Sequence, residues 1–143
     1  MKSVSKQAEN VFRAAINRVH KQKFDGVECP WRIGTPGGVI MPLCVEQIGS
    51  TRFGKSEPLP LWSFAHYYEQ NGDAMRDPDV VMMDAPGGLF PISFRQDGLG
   101  LNQEAVTYDE NDGRIIGVRV KMQADIASFC NTWSRNLAHQ QGL

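Results

Sequence analysis

The run His66-Tyr-Tyr-Glu-Gln-Asn-Gly-Asp-Ala-Met-Arg-Asp-Pro-Asp79 gathers the side chains of this chain best equipped for chemistry. It places one His, two Tyr, one Arg and four carboxylates within fourteen residues. Imidazole and carboxylates are the usual groups of general acid–base work. Glu69, Asp73, Asp77 and Asp79 are also oxygen donors of the kind that hold divalent cations. A second polar run, Phe94-Arg-Gln-Asp-Gly-Leu-Gly100, offers Arg95 and Asp97 as partners that brace the first run by Arg–carboxylate pairing.

Spacing weakens the catalytic reading. His66 and Glu69 form H-x-x-E, which shares one face on a helix. Leu61–Glu69 alternates like a strand, and there the two side chains point to opposite faces. Joint metal ligation is therefore not expected. His20 and His139 lie near the ends of helical patterns, and nothing in the sequence brings them to His66. Asn71-Gly72 and Asp77-Pro78 form turns, so the acidity is expected on a solvated loop. No catalytic residue, metal ligand or cofactor is assigned.

Gly49-Ser-Thr-Arg-Phe-Gly54-Lys55-Ser56 fits the phosphate-loop pattern G-x-x-x-x-G-K-[ST] in full. Such a loop works by opening a helix whose free N–H groups hold the anion. Here Pro58 and Pro60 follow, and a second proline so close is incompatible with a continuing helix. The segment reads as a Gly-rich connection. Nucleotide binding by Gly49, Gly54, Lys55 and Ser56 is the minor alternative.

The elements that must position these groups follow from periodicity. Ser3–Gln22 repeats apolar residues at helical steps (Val4, Ala8, Val11, Phe12, Ala15, Val19), with Ser3 or Ser5 as the cap. Met122–Gln140 does the same through Ile126, Phe129, Trp133 and Leu137. Between them lie strands at Val39–Ile48, Leu61–Glu69, Val80–Asp84, Phe90–Arg95, Glu104–Tyr108 and Arg114–Lys121. Pro42 marks the first as an edge strand or a bulge. Pro36-Gly-Gly, Pro86-Gly-Gly and Asp109–Gly113 are turns. The expected fold is one α+β domain over residues 1–143, an antiparallel sheet of about five to six strands flanked by two helices.

At 143 residues the chain has the size of a single domain. Fifteen Lys and Arg against sixteen Asp and Glu leave a net charge of −1. That balance does not support nucleic-acid binding by bulk positive charge. No apolar run is long enough to span a membrane, and the first residues lack the apolar core of a signal peptide. Cys29, Cys44 and Cys130 are odd in number and far apart, which fits a reduced, cytoplasmic setting.

Three blocks carry a resemblance: Ala65–Asp79, Arg95-Gln-Asp-Gly-Leu-Gly100 and Ser128-Phe-Cys-Asn-Thr-Trp-Ser-Arg-Asn136. Over roughly Ser63–Gln141 the chain resembles a small bacterial family known only as a domain of unknown function. Members of that family are associated with plasmids, phages and integrative conjugative elements. The resemblance implies an accessory protein of a mobile element and transfers no catalytic residue.

The expectation is thus a small binding protein whose partner is another protein, encoded by the host or by the element, with nucleic acid as the alternative partner that the net charge does not support. Its surface would comprise His66, Tyr67, Tyr68, Glu69, Asp73, Arg76, Asp77, Arg95 and Asp97. The acidic groups would imitate phosphate charge and compete for a basic surface, as in an inhibitor of host defence. The rival is a small metal- or nucleotide-dependent enzyme. A homodimer through a sheet edge or a helix face is a third possibility.

Overall fold

The computed structural model describes residues 1–35, 38 and 41–143. Pro36 and Gly37 of the expected Pro36-Gly-Gly turn, and Val39 and Ile40 of the expected Val39–Ile48 strand, lie outside the described residues. The chain runs through α1 (Lys6–Phe24), then β1 (Arg32–Ile33), β2 (Leu43–Thr51), β3 (Leu59–Gln70), β4 (Asp73–Ala85) and β5 (Gly88–Gln96). A 3-10 turn at Asp97–Leu99 leads to β6 (Leu101–Glu104), followed by β7 (Val106–Tyr108), β8 (Ile115–Val118) and α2 (Val120–Gln140). Strands β1 to β6 form one sheet in sequence order, every neighbouring pair antiparallel, and β7 with β8 forms a separate ribbon. The fold is α+β, as the order of periodicities predicts.

Helix α1 starts where Ser5 Oγ accepts the Ala8 N–H at 3.1 Å, which satisfies a first-turn donor. It stops at Asp25, and Gly26 follows in the left-handed region. Both helices lie on the same face of the sheet. Ala8, Phe12, Ala15 and Val19 of α1 meet Ile126, Ala127, Cys130, Trp133 and Leu137 of α2 over Phe64, Val80, Met82 and Leu89. Phe12 sits at the centre, its ring 4.8 Å from Phe64 and 5.8 Å from Trp133. Burying a large apolar side chain of this kind stabilises by about 1.5–3 kcal/mol.

The opposite face is covered only in part. Met83 and Ile92 pack against Val106 and Ile115 of the β7–β8 ribbon. The ribbon is tied to the end of β2: Ile115 N–H donates to Arg52 O at 2.7 Å, and Thr51 Oγ1 donates to Gly113 O at 3.2 Å. The expected single strand Glu104–Tyr108 is therefore two. Ala105 carries the chain from one sheet to the other, its N–H on Ile92 O and its carbonyl on the Arg119 N–H.

The greatest departure from expectation is in the middle. The expected strand through Glu69 is present, but the acidic stretch after it is no loop: β3 runs to Gln70 and β4 starts at Asp73, leaving only Asn71-Gly72 as the turn. Both turn residues have positive φ, the combination a two-residue hairpin turn needs. Asp77-Pro78 is not a loop end but a bulge inside β4. The register passes from Ala65↔Asp79 to Tyr67↔Arg76, so two residues of β4 oppose one of β3. Pro78 is accommodated there because a bulge does not call on its missing N–H. Helix α2 also begins earlier than expected, taking in Val120 and Lys121.

A polar cavity on the uncovered sheet face

Two rows of residues cross the face that the helices leave free. One is Glu46, Ser63, Val81, Ser93 and Glu104, each the register partner of the next. The adjacent row is Cys44, Ala65, Asp79, Arg95 and Asn102. All of these but Ala65 and Asn102 line a cavity of about 270 Å³, bordered also by Tyr67 and by Tyr108 of the β7–β8 ribbon. Leu61, Val81 and Ile92 give it an apolar patch.

The polar groups in it are unevenly satisfied. Ser63 Oγ donates to Asp79 Oδ1 at 2.7 Å. Arg95 Nε and Glu104 Oε2 are buried and have no hydrogen-bond partner among the described residues. Burial pushes the Glu104 carboxyl above its ordinary value, against the pull of Arg95 and Arg119. Burial likewise raises Tyr67, with Asp79 adding to it, and Tyr108, with Glu104 adding to it. The Cys44 thiol is raised mainly by burial. It is thus held as the thiol, the poorer nucleophile.

The residues singled out from the sequence do not form one site. His66 faces the helices and is only 5% exposed. Its Nδ1 lies 2.9 Å from Pro42 O and its ring 5.6 Å from Trp133, so it is a core residue rather than part of a surface. Tyr67 and Arg95 reach the cavity. Tyr68 packs over the 3-10 turn, where a Cβ on Gly98 would stand 2.7 Å from its hydroxyl. Arg76 and Asp97 pair with each other at 3.0 Å, and Asp77 Oδ1 accepts from Gln96 Nε2 at 2.7 Å. Asp97, not Arg95, is therefore the brace of the hairpin. Glu69 and Asp73 stand exposed beside the turn, with no ion pair among the described residues.

Gly49 belongs to β2, and Gly54 and Lys55 form a turn. Ser56 Oγ accepts the Phe53 N–H and donates to Glu57 O, both at 2.9 Å. Strand β3 opens at Leu59, so the helix that a phosphate loop requires is not there. Among the described residues, no group of three or more His, Cys, Asp or Glu gathers in a way that could hold a metal ion. Among the described residues, no helix is long and apolar enough to cross a membrane.

Sequence reasoning passed over Cys44, Ser63, Ser93, Glu104 and Tyr108. The signal was present in the period-2 pattern. Trp62, Phe64 and His66 form one set, and the intervening Leu61, Ser63 and Tyr67 describe the other face of the same strand.

No curated protein and no solved structure matches this chain. The model of a domain of unknown function, DUF6908, matches residues 10–143. That match takes in α1 from Asn10 onward, all of α2 and every strand, including the braced hairpin and the cavity, and the chain belongs to the DUF6908 family.

Proposed function

We propose that this domain is a small accessory binding protein of a bacterial mobile element, and that the far end of the β3–β4 hairpin recognises a basic surface on a protein partner. The observation that carries this reading is the division of labour among the acidic groups there. Asp77 and Asp97 are used internally, on Gln96 and Arg76. Glu69 and Asp73 are exposed and remain free to meet a partner. The hairpin is held in place before any partner arrives, which lowers the entropy lost on binding. Tyr67, 38% exposed, supplies an aromatic contact beside them. The mobile-element setting rests on the resemblance of Ala65–Asp79, Arg95–Gly100 and Ser128–Asn136 described above.

The test is capture from a bacterial lysate with the wild-type protein and with Glu69→Gln/Asp73→Asn. Neither side chain packs in the core, so the variant should melt as the wild type does. A partner held by the wild type should be lost by the variant. Equal retention by both would contradict the reading.

A further inference from the structure

The cavity on the uncovered face is a separate matter from the hairpin end, and its chemistry points to a different kind of ligand. Arg95 and Glu104 carry opposite charges on neighbouring strands. Glu104 is the register partner of Ser93, which places it one diagonal step from Arg95 on the same face. Diagonal neighbours in an antiparallel sheet stand about 7–8 Å apart, within reach of long side chains. They nevertheless form no ion pair with each other, and each keeps a buried polar atom without a partner among the described residues. A buried donor or acceptor left unmade is costly. Both residues line the same cavity, and two side chains of opposite sign there offer a ligand a cation at one end and an anion at the other.

We propose that the cavity binds a small zwitterion of the free amino-acid class, its carboxylate on Arg95 and its ammonium on Glu104. The ligand bridges the two charges that the sheet holds apart. Asp79, directly opposite Arg95 on the far side from Glu104, is engaged by the Ser63 hydroxyl. Leu61, Val81 and Ile92 offer apolar surface to the ligand's side chain. At about 270 Å³ the cavity lies just below the range of about 300–1,000 Å³ typical of drug-sized ligands, in keeping with a smaller molecule. A simple anion would leave Glu104 unmatched, and a simple cation would leave Arg95 unmatched.

The experiment is a thermal-shift screen of the whole protein against the free L-amino acids at millimolar concentration, followed by calorimetry. Each active compound is compared with its N-acetyl and methyl-ester derivatives, which remove one charge at a time. A ligand that binds only the folded state raises Tm with the logarithm of its concentration once that exceeds Kd. The proposal predicts a dose-dependent rise with at least one zwitterion and loss of that rise with either blocked form. Arg95→Gln and Glu104→Gln should each weaken binding by about tenfold or more, the loss of one hydrogen bond to a charged group. Glu69→Gln/Asp73→Asn should bind the same compound unchanged. No shift with any amino acid, equal shifts with the blocked forms, or full retention by both cavity variants would overturn it. The blocked compounds on wild-type protein keep the test decisive even if a variant folds poorly.

Discussion

Arg76 donates twice to a single oxygen of Asp97, from its backbone N–H at 2.8 Å and from its Nε at 3.0 Å. The contact joins the hairpin to the 3-10 turn across twenty-one positions of sequence. The paired bonds from Arg76 hold the Asp97 carboxyl below its ordinary value. In mild acid the unfolded chain therefore takes up the proton first. The stability this pair contributes is fully present above the usual carboxylate range and is lost as pH falls through the lowered value of the folded state. Melting curves across the acid range should show this loss in the wild type and not in Asp97→Asn. An unchanged acid profile in the variant would mean that the pair does not contribute.

Phe12 is fully buried and joins the two helices to the sheet through Phe64 and Trp133. Phe12→Ala removes the ring and leaves a void that the surrounding side chains fill only in part. The expected cost is about 3–5 kcal/mol, measured as the change in unfolding free energy in urea. A cost below about 1 kcal/mol, the range of surface substitutions and mild repacking, would place the centre of the core elsewhere.

The sheet, both helices and most turns were legible because each rests on a local signal. Ala8, Phe12, Ala15 and Val19 repeat at helical steps, and Asp109–Gly113 and Pro86-Gly-Gly carry their own turn chemistry. The strand character of Asp73–Asp79 was not legible. Its carboxylates and Pro78 lower strand propensity, and only long-range pairing with β3 and β5 overrides that. The cavity was hidden for a related reason. Glu46, Ser63, Ser93 and Glu104 are scattered along the chain and become neighbours only when the register is set.

Glu104 should be a residue whose removal helps the fold. Burial raises its carboxyl, so the folded state holds the proton more tightly than the unfolded state. Stability is therefore present below the ordinary Glu value and declines as pH rises towards the raised one. At neutral pH the ionised side chain is a burden, and Glu104→Gln should raise Tm while weakening ligand binding in the cavity. The measurement is Tm against pH for the two proteins. A variant less stable at neutral pH would show that Arg95 and Arg119 outweigh burial.

Gln123 is completely buried in α2 and ties three parts of the chain together. Its Oε1 accepts the Lys2 N–H at 2.7 Å, and its Nε2 donates to Pro91 O at 3.0 Å. Gln123→Leu keeps the bulk and leaves the Pro91 carbonyl without that donor. The expected cost is about 1–3 kcal/mol in chemical denaturation, with faster hydrogen exchange at Lys2. Unaltered exchange would show that the N-terminal segment is held by other contacts.

The central claim is that Glu69 and Asp73 at the hairpin end meet the partner. It is tested most directly by comparing two variants that lose the same charge at different places. Glu69→Gln/Asp73→Asn neutralises the hairpin end, and Glu110→Gln/Asp125→Asn neutralises two exposed carboxylates elsewhere. Retention of the captured partner is then measured for both pairs beside the wild type. The account predicts loss with the first pair and wild-type retention with the second. Retention by the first pair, or equal loss by both, would contradict it.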